Sequence, residues 1–239
     1  MLKIDLHIHT IHSGHAYGTF YDVVNEAKKK KMQMIAITDH GPSMPGVTGS
    51  IHFLTGHRVP AYKDLKILWG CEANIVDGDG NIDLDEFTQN KVDIILAAVH
   101  LSSPYKNLGK EKNTQAIMNA LKNPHIKILA HPTHQQCEYD LDKICLAAIK
   151  NNVLLELDLA YIKDYGEKDL EKFRRLVQIV RENKAKLIVD SDAHFLHEIG
   201  DDSVLKTYSQ KIGLTPDLII NNYPEELMKI LQKDKGLKG

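Results

Sequence analysis

Four histidines fall within nine residues of the opening stretch MLKIDLHIHTIHSGHAYG, at His7, His9, His12 and His15. Neutral imidazole is the commonest protein ligand for metal ions, so metal binding is the chemistry such a cluster could do. Leu2, Ile4, Leu6 and Ile8 alternate with Lys3, Asp5, His7 and His9, which is the period of a β-strand. Alternation places His7 and His9 on one face, two residues apart, with rings able to converge on one point. An isolated H-x-H also fits a surface strand with incidental histidines, so the rest of the chain has to decide.

The elements that would position these rings recur along the chain. LKIDLHIH ends at His7 and His9, MIAITDH at His40, KILWGCE at Glu72 and DIILAAVH at His100. KILAH ends at His131, and KLIVDSDAH at Asp192 and His194. Near-continuous apolar runs of this length fit buried strands of a parallel sheet. A seventh run, VLLELDLA at Val153 to Ala160, has the strand signature without a terminal ligand. Helical patterns lie between them at Tyr21 to Lys30, Asn113 to Asn123, Asp140 to Asn152 and Glu167 to Asn183. The alternation predicts an α/β fold, either a (β/α) barrel or a doubly wound sheet. A parallel barrel would gather all C-terminal strand ends on one face, where active sites form. Ligand-type residues closing six strand candidates favour a metal site over satisfied core histidines.

Bulk properties narrow the partners. The 239 residues suit one α/β domain or at most two small ones, and 43% hydrophobic with 26% charged residues is ordinary for a globular protein. A net charge of -2 with mixed signs offers no broad basic field for nucleic acid or anionic membrane. Charged residues interrupt every apolar run short of a membrane span, and the first strand begins where a signal peptide would lie. Cys71, Cys137 and Cys145 lack C-x-x-C spacing, which argues for reduced thiols and a cytoplasmic location. The run KKKKM at Lys28 to Met32 reads as the solvated last turn of a helix.

With those residues assembled, the sequence resembles the PHP family, the polymerase and histidinol phosphatase metal-dependent phosphoesterases. The signatures are DLHIHT at Asp5 to Thr10, GHA at Gly14 to Ala16, ITDHG at Ile37 to Gly41 and GCEANI at Gly70 to Ile75. AAVH at Ala97 to His100, AHP at Ala130 to Pro132 and SDAH at Ser191 to His194 complete an ordered series. The resemblance is strongest to small bacterial stand-alone phosphatases with three zinc ions, and it implies a distorted (β/α)7 TIM-like barrel in a single domain over 1–239. It also implies how ligands are shared. His7, His9, Glu72 and Asp192 would hold a first metal. Glu72 would bridge to a second, completed by His100 and His131, and His15, His40 and His194 would hold a third. Seven imidazoles and two carboxylates suit zinc, with manganese or iron also compatible.

The implied reaction is hydrolysis of a phosphomonoester of a small metabolite by hydroxide bridging the first two metals. Asp192, Glu72 and His194 form the expected catalytic set, with Asp192 orienting the nucleophile; leaving-group protonation falls to metal-bound water or a nearby histidine. Asp5 and Asp39 are either carboxylates that fix imidazole tautomers or partners of local backbone. His52, His57 and Arg58 lie in a Gly- and Pro-containing segment that could form a loop over the site, with solvent exposure the plainer reading. The competing functions are a histidinol phosphatase, a phosphodiesterase or exonuclease of the same family, an amidohydrolase and a non-catalytic metal-binding module. Oligomeric state is not readable.

Overall fold

The computed structural model describes residues 1–232; the last part of the expected 1–239 domain lies outside them. Seven strands run β1 (Ile4–Ile8), β2 (Met34–Ile37), β3 (Lys66–Asn74), β4 (Ile94–Ala98), β5 (Ile126–Leu129), β6 (Leu154–Asp158) and β7 (Leu187–Asp190). They pair in sequence order, every pair parallel. Helices α1 (Phe20–Lys29), α2 (Glu86–Gln89), α3 (Lys110–Ala120), α4 (Leu141–Lys150), α5 (Leu159–Tyr165), α6 (Leu170–Glu182), α7 (Leu205–Ile212) and α8 (Pro224–Gln232) complete a nearly closed α/β barrel. The expected distorted (β/α)7 architecture is what forms.

Strands buried on both faces explain why the apolar runs look continuous rather than alternating. Ile4, Leu6, Met34, Leu68, Leu96, Ile128 and Ile188 fill the barrel interior, and Leu227 and Leu231 of α8 join them. Lys66 meets Met228, and Lys186 pairs with Glu226 at 2.9 Å, so α8 lies under the N-terminal ends of β3 and β7. Ile8, Ile37, Cys71, Ala97, Leu157 and Val189 face outward into the helix layer. Apolar packing thus plugs the bottom of the barrel and leaves its C-terminal mouth for polar groups.

Two local features depart from simple alternation. Ile4 and Asp5 pair with Met34 and Ile35, but Ile8 pairs with Ile37, a bulge of one extra residue in β1. It lets Leu6 pack inside the barrel and still turns His7 inward, one residue later. Asp5, expected on the face of His7, turns instead to the gap between β7 and β1.

That gap is the second feature. Beyond a single bridge, Ile8 to Ala193, these strands are joined by side chains. Asn221 accepts from Val189 N–H at 2.9 Å and donates to the carbonyls of Val189 and Ile4 at 2.8 and 3.0 Å. Asp190 accepts from Leu6 N–H at 2.7 Å, and Asp5 accepts from Ser191 N–H, Ser191 Oγ–H and Gly200 N–H. Backbone groups that a ladder would satisfy therefore still have partners.

The VLLELDLA run ends as a strand at Asp158, whose side chain accepts from Tyr161 N–H and caps α5. Lys28 and Lys29 are exposed at the end of α1 as expected, while Lys30 reaches back to the carbonyls of His197 and Ile199. His52 and His57 belong to a 3₁₀ segment, Ser50–Arg58, anchored by the fully buried Phe53.

Candidate metal centre

Each of the nine candidate residues sits at or just past the C-terminal end of a strand, apart from His15, which a tight turn returns to the mouth. In that turn Gly14 adopts φ 81°, and a Cβ there would lie 2.9 Å from the carbonyl of Gly46. Only glycine fits both constraints. His131 and Asp192 have φ of 31° and 50°, in the left-handed region that non-glycine residues rarely occupy. Such strain gathers where surrounding structure over-determines a side chain's direction.

The side chains converge. His7 Nε2 lies 3.4 Å from Glu72 Oε2 and 3.4 Å from Asp192 Oδ1; His9 Nε2 lies 3.5 and 3.0 Å from the same two oxygens. On the other oxygen of Glu72, His131 Nε2 stands at 2.7 Å and His100 Nε2 at 3.4 Å. His15 Nε2 lies 3.3 Å from His40 Nε2 and 3.0 Å from His194 Nε2, and His40 Nδ1 lies 2.6 Å from Glu72 Oε2. Five rings, of His7, His9, His40, His100 and His131, thus meet on Glu72, and Asp192, His15 and His194 join the cluster through those rings.

Five of the eight buried side-chain polar atoms without a hydrogen-bond partner, among the described residues, are in this cluster: His7 Nε2, His9 Nε2, His40 Nδ1, Glu72 Oε2 and Asp192 Oδ1. Burying such atoms unpaired is costly. Between the Nε2 atoms of His7 and His9 and the oxygens of Glu72 and Asp192 the separations are 3.0–3.5 Å, near the donor-to-donor distances of about 3.3–3.6 Å in a site with ligand bonds of about 2.0–2.2 Å. The donor set fits a divalent transition ion.

The ring orientations are fixed from behind. His7 Nδ1 donates to Glu156 at 2.8 Å, and the second oxygen of Glu156 accepts from His131 N–H at 2.6 Å. Asn74 gives its amide protons to Asp83 and the Gly41 carbonyl, so its oxygen accepts from His100 Nδ1 at 2.8 Å. Ser13 gives its proton to Asp39 at 2.6 Å and therefore accepts from His9 Nδ1 at 2.9 Å and from His40 N–H at 3.2 Å. His194 Nδ1 donates to the carbonyl of Asp192 at 2.9 Å. In all four rings the proton is held on Nδ1 and the Nε2 lone pair faces the cluster, the arrangement a metal ligand needs.

Within the cluster, rings and carboxylates shift one another's ionisation. Burial drives His9 down to about 3, helped by the neighbouring rings of His40 and His194. Burial opposes ionisation of Glu72, yet the rings of His100, His7 and His40 hold it well below the usual carboxylate range. Asp192 is likewise held low against burial by His7 and His9. Burial would lower His131, but its contact with Glu72 prevails and raises it to about 9. The buried Cys71 thiol faces away and is pushed well up by burial.

Of the two flanking carboxylates, Asp39 acts on a ring through Ser13, whereas Asp5 serves the seam. Sequence reading passed over Glu156, Ser13 and Asn74. Glu156 carried a signal, a carboxylate inside an otherwise apolar strand, and Asn74 lay within the GCEANI motif without a role of its own; Ser13 carried none. Arg58 and His57 are exposed, and His134 stacks on Tyr161 with ring centroids 4.3 Å apart. No described helix is long and apolar enough to cross a membrane.

A parallel barrel whose C-terminal mouth gathers imidazoles and carboxylates around unpaired buried donors has the build of a metal-dependent barrel enzyme. The PHP domain pattern matches residues 5–219, and the chain belongs to that family. A protein of Clostridium botulinum (strain Hall) named a probable phosphatase is 35% identical over 98% of this chain and 95% of its own length. Another so named, from Thermoanaerobacter sp. (strain X514), is 34% identical over 100% of this chain and 98% of its own. Among solved structures, histidinol phosphate phosphatase from Lactococcus lactis, described as complexed with zinc, L-histidinol and phosphate, superposes with a TM-score of 0.62. It covers 89% of this chain and 94% of its own at 16% identity, a likeness of fold. The family read from the ordered motifs is thereby established.

Proposed function

We propose that this chain is a phosphatase that hydrolyses phosphomonoesters of a small metabolite at a centre of three divalent cations, zinc foremost, with manganese or iron as substitutes. The coarser statement, a phosphoric-ester hydrolase of the PHP family, rests on relatives named phosphatases that match along nearly the whole chain. His7, His9, Glu72 and Asp192 would hold one ion, Glu72 with His100 and His131 a second, and His15, His40 and His194 a third. Bound ions would supply Lewis-acid charge to the phosphate oxygens and acidify the attacking water.

The chain's own groups do the rest. Glu156, Asn74, Ser13 and the Asp192 carbonyl hold their rings in one tautomer. Oδ1 of Asp192 is buried while its side chain is 20% exposed, so the other oxygen reaches the mouth and can orient a water by accepting its proton. Both nitrogens of His194 are engaged, one with Asp192 and one beside His15, which makes it a holding rather than a proton-donating group. With no described basic tract at the mouth, a small phosphorylated molecule suits the site better than a nucleic acid.

The observation that carries the proposal is the set of buried ring nitrogens and carboxylate oxygens without hydrogen-bond partners, 3.0–3.5 Å apart at the barrel mouth. Its test joins a metal count on the purified protein to phosphate release from p-nitrophenyl phosphate, its bis ester and a phosphorylated-metabolite panel that includes histidinol phosphate. Bound transition metal with monoester turnover is the expected result. Turnover confined to the diester, or the absence of bound metal under replete conditions, overturns it.

A further inference from the structure

We propose that His52, carried on the 3₁₀ segment Ser50–Arg58, is a positioning residue that locks the metal-facing tautomer of His9 through Asp39 and Ser13. The proposal rests on the metal-centre reading above and adds a residue and a loop to it.

The relay is continuous. His52 Nε2 donates to Asp39 Oδ2 at 2.9 Å, Ser13 Oγ donates to Asp39 Oδ1 at 2.6 Å, and His9 Nδ1 donates to Ser13 Oγ at 2.9 Å. Thr10 supplies the other two donors to Asp39, from its N–H to Oδ1 at 2.7 Å and from its hydroxyl to Oδ2 at 2.8 Å. Each carboxylate oxygen thus holds two donors in a fully buried site. A serine hydroxyl has one proton. While Asp39 takes it, Ser13 can only accept from His9, and the free lone pair of His9 faces the cluster. Without His52, Asp39 Oδ2 keeps one donor and the carboxylate is free to turn toward it. Ser13 can then swing its proton to His9 Nδ1, which moves the ring proton to Nε2, where a cation would bind.

Thr10, Ser13 and Asp39 come from the loops at the ends of β1 and β2, whereas His52 arrives from a separate excursion. Its ring packs against Trp69 at 4.8 Å and His12 at 4.2 Å, beside the buried Phe53. Docking of this segment and cation affinity therefore share one coupling free energy, and coupling is reciprocal. The segment tightens the centre, and a bound ion tightens the segment.

The experiment compares His52→Gln with His52→Asn. Glutamine places an amide N–H near the position of Nε2; asparagine fits the space but stops short. On full-length protein stripped and reloaded, zinc affinity is measured by competition with a chromophoric chelator, and hydrogen exchange over 50–58 is followed with and without zinc. His52→Asn is expected to weaken zinc binding by about 10–100-fold while His52→Gln stays within about threefold of wild type. Zinc should slow exchange over 50–58 in wild type and His52→Gln but not in His52→Asn. Wild-type affinity in His52→Asn, or equal losses in both variants, overturns the relay and leaves the metal centre standing. Failure of the wild type to bind zinc removes both.

Discussion

Ser13 and Asn74 decide, at the scale of single residues, which nitrogen of His9 and His100 is free. Ser13 has spent its one proton on Asp39, and Asn74 has turned its amide nitrogen to Asp83 and Gly41, so the oxygen each presents can only receive. Eight of the nine candidate positions stood out in the sequence because each is a polar side chain closing or following an apolar run, and His15 was singled out by the opening histidine cluster and the family motif. Their supporters were not, because Glu156 is 149 positions from His7 and only the closure of the barrel brings them together. Glu72 is the residue on which the cluster hangs, with both oxygens shared. Glu72→Ala and His9→Ala are each expected to lower metal-dependent phosphatase kcat/KM by at least about 10³-fold, with circular dichroism unchanged. Glu72→Ala should lose more metal per chain than His9→Ala in elemental analysis, because in the proposed centre it would serve two positions rather than one. Wild-type turnover by either purified variant contradicts the assignment.

At the scale of elements, all seven strands could be read from their apolar runs, because strands buried on both faces carry a strong compositional signal. The bulge in β1 could not. One extra residue changes no residue type, yet it decides that Leu6 and His7 both face inward while Asp5 does not. The start of helix α5 was hidden in the end of a run that looked like strand, since Asp158 reads as one more strand residue until its side chain is seen capping Tyr161 N–H. Helix α8 has an apolar stripe whose destination, the barrel floor, is a tertiary fact. The seam yields a test. Asn221→Ala removes three hydrogen bonds to backbone groups of β1 and β7 and leaves those groups buried, at a cost of about 2–4 kcal/mol. A fall in the urea midpoint with an unchanged slope is the expected reading, and a loss under 0.5 kcal/mol, on the order of an ordinary surface change, counts against the seam's role.

At the scale of the whole molecule, the barrel divides its stability between an apolar floor and a charged mouth. An ion that binds only the folded chain stabilises it by mass action, by about 4 kcal/mol when the free ion exceeds its Kd a thousandfold. For a chain of this size that corresponds to about 8–16 °C in melting temperature. Calorimetry after chelation should show a drop of that order, restored by zinc; an identical melting curve would mean that the mouth is stable empty. The side-chain stitching between β7 and β1 has one more consequence. Six ladders fix the barrel's girth, and the seventh junction behaves as a clasp, undone by turning a few torsions rather than by unzipping a row of amides. The amide protons of Leu6, Val189 and Ser191, which answer to Asp190, Asn221 and Asp5, should trade with solvent deuterium ahead of those in the middle of β3 and β4. The wall would then open along a single line beside the candidate metal ligands at the ends of β1 and β7.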